Sequence, residues 1–116
     1  MSENRREFFR VNFERSLSGQ LLVHGGESMF LSIDNLSVKG LGFSSSIEIS
    51  LLAKVECRFE ILDIPFTMDG SIIRKSRKTD EIEYGIDFVV DKEKSSQLFK
   101  QLNAYQIRQR RGMLVD

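Results

Sequence analysis

The chain contains few of the residues that disulfides, metal sites and membrane spans require. It has one cysteine, Cys57, and one histidine, His24, among its 116 residues. A single cysteine excludes an internal disulfide and fits a reducing compartment, so we expect a cytoplasmic protein. With one histidine and one cysteine, a zinc site formed by this chain alone is poorly supported. No apolar run approaches the roughly 18 residues of a transmembrane helix, and no signal-type apolar stretch follows the N-terminus.

An excess of charge of one sign is also missing. Lysine and arginine total 17, aspartate and glutamate total 17, and the formal net charge is zero. A general nucleic-acid binder needs a basic field over much of its surface, so we expect no DNA or RNA partner. A barrel that binds RNA or single-stranded DNA would need an aromatic platform in a basic groove. Four acidic positions that we predict to be exposed count against this alternative: Glu56, Glu60, Glu83 and Asp87.

Catalytic constellations do not stand out either. The sequence shows no Ser/His/Asp set and no cluster of metal ligands. Asp34, Asp63, Asp69 and Asp87 are present, but nothing in their spacing indicates an acid–base pair. We therefore expect no enzymatic activity and no cofactor.

The sequence does contain a series of short segments with strand periodicity. Residues 54–62 are the clearest case, because every second residue from Val55 to Ile61 is apolar. Such alternation predicts a half-buried antiparallel strand, with Cys57 on its buried side. The six predicted strands cover residues 17–24, 28–34, 40–45, 54–62, 66–74 and 82–90. Six strands joined by short turns suggest a small antiparallel barrel or sandwich.

A helix follows the strands. Leu98, Leu102 and Tyr105 fall on one helical stripe, and Ser95 or Ser96 would cap the start. All of these elements suit one compact domain. Its predicted parts are a mobile N-terminal arm at residues 1–16, a β-barrel at 17–92 and a C-terminal helix at 93–111.

Two short sequence strings near the start of the chain contain the side chains best suited to binding a ligand. The first, R-x-x-x-R, has Arg6 and Arg10 at its ends and is preceded by Arg5. The second, N-x-S-x-x-G, runs from Asn35 to Gly40. Residues four apart share a side of an extended segment and also a face of a helix. The two arginines of the first string therefore converge in either conformation.

The side chains in these strings suit an anionic ligand that carries guanine. Arginine pairs bidentately with phosphate oxygens or with the O6 and N7 edge of guanine. Asn35 offers a donor and an acceptor, Ser37 can donate to a phosphate oxygen, and Gly40 permits positive φ or a close backbone approach. The plainer interpretations are a solvated arm for the first string and an ordinary turn between strands for the second.

The order of these strings before this strand pattern resembles the PilZ domain, the bacterial receptor module for cyclic di-GMP. The likeness covers nearly the whole chain. It includes Arg5-Arg6-x-x-x-Arg10-Val11, the segment from Asp34 to Phe43, Gly70-Ser71-Ile72-Ile73-Arg74 and Tyr84-Gly85-Ile86-Asp87-Phe88. The resemblance implies a mainly β fold, a six-stranded antiparallel barrel of split or Greek-key-like form with a C-terminal α-helix.

The resemblance also implies a ligand, its contacts and a partner. Asparagine stands at position 35, where the family more often has aspartate. The implied cyclic di-GMP contacts are Arg5, Arg6, Arg10, Asn35, Ser37 and Gly40. We expect a stand-alone, single-domain receptor whose arm closes over the nucleotide and which then signals to an unidentified effector protein. The alternative is an adaptor of the same fold that binds no nucleotide, against which the intact strings argue.

Overall fold

The computed structural model of the protein describes residues 9–112, which form six strands and one helix. The strands are β1 (Arg10–Val23), β2 (Ser28–Ser37), β3 (Gly40–Ser45), β4 (Lys54–Ile61), β5 (Ile64–Arg77) and β6 (Ile82–Phe88). The helix, α1 (Lys92–Arg110), follows the last strand. The prediction of a mainly β fold with a C-terminal helix is confirmed.

The six strands form a closed antiparallel barrel. Their order around the barrel is β1-β2-β3-β6-β5-β4, and β1 also pairs with β4 to complete the circle. The strand pattern alone left a barrel and a sandwich open, and this pairing decides for the barrel. The strand order matters for the site, because it places β6 between β5, its neighbour in sequence, and β3, which ends 37 residues before β6 begins.

The predicted alternation of side chains is confirmed by burial. In β4, every second residue from Val55 to Ile61 is buried. The same is true of β5 from Phe66 to Ile72. Because inward-facing side chains of a narrow barrel fill its interior, these residues form one continuous core. On β6, Tyr84 belongs to that core and stacks on the ring of Phe43, with the ring centroids 4.9 Å apart.

β1 begins earlier than predicted. The strand expected at residues 17–24 starts at Arg10, so residues 10–16 belong to the barrel and not to a separate arm. Val11 and Phe13 are buried and the residues beside them are exposed, which is the alternation of a half-buried strand. That alternation is short and is followed by charged residues, which is why it was mistaken for an arm. The mobility of the arm stays a prediction.

A large irregularity explains the charged stretch in β1. From Asn12 to Leu17, β1 advances five positions while its partner advances two, from Asn35 to Ile33. The extra residues, Glu14 among them, are exposed and interrupt the ladder. Such bulges bend a strand and increase its twist, which suits the tight curvature of a small barrel.

The helix is capped by Asp91 and not by either predicted serine. The Asp91 carboxylate accepts a hydrogen bond from the Lys94 backbone N–H at 3.1 Å, so α1 begins at Lys92. Aspartate is among the best N-cap residues, and its negative charge also favours this end of the helix dipole. Leu98 and Leu102 are buried as predicted.

Two aromatic pairs hold α1 against the start of β1. The rings of Phe9 and Phe99 meet edge to face with centroids 6.0 Å apart, and those of Phe13 and Tyr105 do so at 5.4 Å. Edge-to-face pairs of this kind stabilise by about 0.5–1.5 kcal/mol beyond the area that they bury. The first residues of β1 are therefore fixed on one side by the helix and on the other by β2.

Two further expectations concern the membrane and the cysteine. Among residues 9–112, no helix is both long enough and apolar enough to cross a lipid bilayer. Cys57 lies buried in β4. Burial, helped by the charges of Asp69 and Glu56, raises the pKa of the Cys57 thiol to about 12. The thiol therefore stays protonated at neutral pH and packs as a small apolar side chain.

Candidate functional site

Strand pairing brings the two strings of the sequence together. Arg10, the first residue of β1, lies opposite Ser37 of β2 in the antiparallel register. Its guanidinium donates through Nη1 to the Oδ1 of Asn35 and through Nη2 to the Oγ of Ser37, the second bond being 3.4 Å long. One arginine of the first string thus meets two residues of the second. The other two predicted arginines, Arg5 and Arg6, lie outside the described residues.

A bulge in β2 turns Asn35 outward. Between Ile33 and Asn35, β2 advances two positions while β3 advances one, from Phe43 to Gly42. Ile33 is buried in the core, and strict alternation would direct Asn35 into the core as well. The extra residue, Asp34, changes the parity, so that Asn35 lies on the outer surface. Bulges that re-aim a side chain are common beside binding and active sites.

Ser37 holds the turn between β2 and β3. It is fully buried, and its Oγ accepts a hydrogen bond from the backbone N–H of Lys39 at 3.1 Å. The same hydroxyl lies 3.4 Å from the carbonyl oxygen of Gly40, to which it donates. Ser37 therefore stabilises the turn beneath the Arg10 guanidinium. We predicted that this hydroxyl donates to a phosphate oxygen, which stays a prediction; in the structure it is buried and contacts Arg10, Lys39 and Gly40.

Gly40 is required by a close backbone approach. A Cβ atom at this position would lie 2.0 Å from the carbonyl oxygen of Ile86 on β6. No real Cβ atom comes that near to an oxygen, so any larger residue would force β3 and β6 apart. From the sequence, Gly40 could serve either a positive φ or a close backbone approach. In the structure Gly40 has no positive φ, so the close approach is the reason for glycine here.

Two glycines outside the second string form the floor beside Asn35. Gly42 of β3 and Gly85 of β6 lie opposite each other in the register. A Cβ atom on Gly42 would lie 2.7 Å from Asn35 Nδ2, and one on Gly85 would lie 2.8 Å from Arg74 Nη1. The Asn35 amide and the Arg74 guanidinium therefore lie directly over bare backbone.

Gly42, Gly85 and Arg74 were not among the site residues predicted from the sequence. An isolated glycine within a strand is itself a signal that another group approaches the backbone closely. Both glycines stand in segments whose apolar residues alternate. The identity of what approaches could not be found this way, because Asn35 and Arg74 come from other strands. We use the term motif face below for one set of residues: Arg10, Asn35, Ser37, Gly42, Arg74 and Gly85.

The motif face is cationic. Partial burial, and secondarily the nearby guanidinium of Arg74, lowers the pKa of Arg10. An arginine nevertheless keeps its proton, so two positive charges lie near each other on this face. Among residues 9–112, no carboxylate forms an ion pair with either arginine. Like charges held close without a counter-ion favour the binding of an anion.

Two hollows of about 420 and 550 Å³ lie elsewhere on the barrel, and neither is lined by a residue of the motif face. The described residues also contain no group of His, Cys, Asp or Glu that could hold a metal ion. The groups that this face offers to an anion are the guanidinium, amide and backbone groups described above.

A family model matches most of the chain. The model of the PilZ domain matches residues 4–105, a span that contains both strings and all six strands. No curated protein matches the chain.

Solved structures share the fold at low sequence identity. YcgR from Escherichia coli in complex with c-di-GMP matches with a TM-score of 0.75 at 18% identity over 93% of this chain. The Bacillus subtilis inhibitor of motility, MotI/DgrA, matches with a TM-score of 0.75 at 11% identity over 91%. The chain spans about half the length of both, 49% and 53% respectively. The PilZ domain of Escherichia coli YcgR with c-di-GMP has a TM-score of 0.72 at 13% identity, covering 95% of this chain and 99% of that domain.

Proposed function

The chain belongs to the PilZ domain family, and from this premise we propose that it is a receptor for cyclic di-GMP. The observation that supports the proposal most is the meeting of Arg10 with Asn35 and Ser37 across β1 and β2. Two YcgR structures of the same fold contain c-di-GMP, which agrees with this ligand. Membership alone would not suffice, because the ligand has to be held by residues present in this chain.

Each residue has a proposed role that follows from its chemistry. Arg10 pairs with a phosphate or with the O6 and N7 edge of a guanine. The Asn35 amide forms hydrogen bonds with a base, and Ser37 with Gly40 fixes the turn that supports both. Arg5 and Arg6 are proposed to add further contacts to the same ligand. Charge-assisted hydrogen bonds contribute about 1.5–3 kcal/mol each, so a few of them suffice for binding.

The receptor is proposed to act through a second protein in the cytoplasm. A bound nucleotide would change the position of the residues before β1, and with them the surface offered to an effector protein. Residues 10–16 already belong to β1, so the proposed movement concerns the chain before Arg10. The single buried thiol of Cys57 suits a reducing compartment. We expect no catalytic activity.

Calorimetric titration with cyclic di-GMP tests the proposal. Wild-type protein should bind, whereas Arg10→Ala and Arg6→Ala should weaken binding about a hundredfold or more, because each loses charge-assisted contacts. Arg77→Ala is the matched control, since Arg77 is an exposed arginine that already pairs with Glu48 at 2.7 Å. All variants should melt near the wild-type temperature.

Two results would contradict the proposal. Normal binding by Arg10→Ala would show that the site assignment is wrong. If cyclic di-GMP gives the wild-type protein neither a heat of binding nor a shift in melting temperature, the alternative function is favoured. That alternative is an adaptor of PilZ fold that binds no nucleotide.

A further inference from the structure

The turn that leads into β4 has two leucines at its tip. The Ala53 backbone N–H donates to the carbonyl oxygen of Ser50 at 3.2 Å and closes the turn, so Leu51 and Leu52 are its central residues. Both side chains are exposed. Turns normally have Gly, Pro, Asn, Asp or Ser at such positions, because these residues suit the backbone and tolerate contact with water. Two exposed leucines are therefore not what the folding of this turn requires.

The backbone of Leu52 makes this choice of residue costly. Its φ is 70°, in the left-handed region that glycine or asparagine adopts with less strain. The Leu52 N–H donates to the carbonyl oxygen of Ile72 at 2.7 Å, and the Ile72 N–H donates to that of Ala53 at 2.9 Å. Two residues thus lie opposite one, in a bulge whose first residue is normally glycine. Strained residues of this kind concentrate at functional sites, which points to a use for the leucine side chain.

A third apolar side chain lies beside the turn. Between Ile72 and Arg74, β5 advances two positions while β6 advances one, which is a second bulge. The extra residue, Ile73, is exposed and directly follows Ile72, to which Leu52 is hydrogen-bonded. We name three residues the apolar tip: Leu51, Leu52 and Ile73.

The apolar tip projects from the barrel. The hollow of about 550 Å³ beside the turn is lined by Ser50 and Ala53, which flank the two leucines, but by no residue of the apolar tip. The leucines therefore do not fold over this hollow. A convex apolar projection suits a soft surface into which it can insert, such as the interface of a lipid bilayer.

Cations surround the apolar tip. Lys54 follows it on β4 and Arg74 follows it on β5, and both are exposed. Neither belongs to an ion pair within residues 9–112, whereas the two carboxylates nearest to the turn along the chain, Glu48 and Glu56, are already paired with cations. Asp87 lies on β6, with β5 between it and Lys54. Positive charge therefore predominates around the apolar tip.

Phe30 shows what an exposed apolar side chain looks like without this collar. Its exposed fraction is 68%, close to the 70% of Leu52. The hollow that Phe30 lines is also lined by three acidic residues, Asp34, Asp80 and Glu81. An anionic surface would be repelled there and attracted at the apolar tip.

We propose that the protein binds the surface of an anionic phospholipid membrane through the apolar tip. Leu51 and Leu52 insert among the lipids, and Lys54 and Arg74 lie against the lipid phosphates. Binding of this kind draws on buried apolar area together with attraction between cations and anionic headgroups, and both are present here. A second copy of the chain fits less well, because two identical tips would bring like charges together. The inference is independent of the proposed function, since neither leucine belongs to the motif face.

Sedimentation with vesicles tests the proposal. Wild-type protein should bind vesicles of phosphatidylglycerol and phosphatidylcholine in equal parts, and should bind phosphatidylcholine alone about thirtyfold less, the effect of two cations near the surface. Lys54→Gln should lower binding to the anionic vesicles about fivefold, the effect of one cation. Leu52→Asn should lower it about tenfold because it removes an inserting side chain. Its melting temperature should not fall, since asparagine suits the left-handed backbone.

Two variants at Phe30 and one at Leu51 complete the test. Phe30→Ser is the matched control and should bind the anionic vesicles like wild type. The chain contains no tryptophan, so Leu51→Trp places a single fluorescent reporter in the apolar tip. Its emission should shift to shorter wavelength when anionic vesicles are added, because the ring enters an apolar environment. The emission of Phe30→Trp should not shift.

Several outcomes would overturn the proposal. If the wild type does not bind the anionic vesicles, the membrane role is wrong. It is also wrong if Leu52→Asn binds like wild type, or if the emission of Leu51→Trp stays unchanged, because attraction by charge alone needs no insertion. A wild-type dimer that Leu52→Asn fails to form, without vesicle binding, would make the apolar tip a contact between proteins. None of these results bears on cyclic di-GMP, which the titrations above test separately.

Discussion

Two positively charged regions of the barrel differ in how their charge is balanced. On the motif face, Arg10 contacts neutral groups, and no described carboxylate pairs with it or with Arg74. A second region, which we name the ion-paired corner, consists of Glu48, Lys75 and Arg77. There one carboxylate accepts from both cations, with Arg77 Nη2 at 2.7 Å from Glu48 Oε2.

The contrast is sharp because Arg74 and Lys75 are neighbours on the same strand. One lies over bare backbone and the other lies against a carboxylate. A cation that is paired with a carboxylate of the protein attracts an anionic ligand only weakly, whereas a cation among neutral groups attracts it strongly. The comparison teaches that the placement of the counter-ions, more than the number of cations, marks the binding face.

The largest expected effect comes from Gly40→Ala. The added Cβ would meet the Ile86 carbonyl oxygen at 2.0 Å, and neither backbone can yield without breaking the β3–β6 ladder beneath the motif face. We expect a loss of about 3 kcal/mol in the free energy of unfolding, measured by urea denaturation. Gly26→Ala is the control. Gly26 lies near the ion-paired corner, and a Cβ atom there would be 3.4 Å from the nearest atom. Equal losses in both variants would contradict the account.

Ser37→Ala should have the next largest effect. It removes a buried hydroxyl that accepts a hydrogen bond from the Lys39 N–H at 3.1 Å and donates one to the carbonyl oxygen of Gly40. Loss of these hydrogen bonds at a buried position should cost about 1–3 kcal/mol, and urea denaturation would measure the loss. Ser45→Ala removes a similar bond, from the Ile47 N–H at 3.0 Å, where water can replace it. If the two variants lose the same stability, the turn at Ser37 is not the buried support that we describe.

Adding a carboxylate to the motif face as a counter-ion should weaken the binding of the ligand. Asn12 is exposed, lies opposite Asn35 and shares the outer side of β1 with Arg10. In Asn12→Glu a carboxylate would compete with the ligand phosphate for Arg10, raising the dissociation constant of cyclic di-GMP about tenfold, or 1.4 kcal/mol. Asn12→Gln, which has the same size without the charge, should bind like wild type. Equal affinity for both would mean that counter-ions do not govern this face.

The smallest effect is expected from Glu48→Gln at the ion-paired corner. Hydrogen bonds from Lys75 and then Arg77 lower the pKa of Glu48 below its usual 4.5. A lowered pKa in the folded state stabilises the protein above the unfolded value, and this contribution is lost as pH falls below 4.5 through the lowered pKa. Melting temperatures of wild type and Glu48→Gln should therefore differ slightly at pH 7 and converge in acid. A difference that grows in acid would reverse the sign and refute the argument.

Most of the fold could be predicted from the sequence because alternation is a local signal. The buried parity of β4 follows from every second residue between Val55 and Ile61. The start of β1 was missed because the irregularity between Asn12 and Leu17 places charged residues inside a strand. The helix cap was missed because Ser95 and Ser96 lie closer than Asp91 to Leu98, the first residue of the apolar stripe, and serine is also a good cap.

Less of the site could be predicted, since it depends on contacts between distant strands. Arg10, Asn35 and Ser37 could be predicted as site residues because they stand in short strings. Arg74 could not, because its exposure depends on the bulge at Ile73 and on the pairing of β5 with β6. Alternation alone would have placed it in the core.

Amide chemical-shift mapping during a titration with cyclic di-GMP tests the central claim most directly. The account predicts that the amide signals of Asn35, Gly42 and Gly85 shift with the ligand while those of Glu48 and Arg77 stay in place. Shifts confined to the ion-paired corner, or shifts absent from the motif face at saturating ligand, would contradict it.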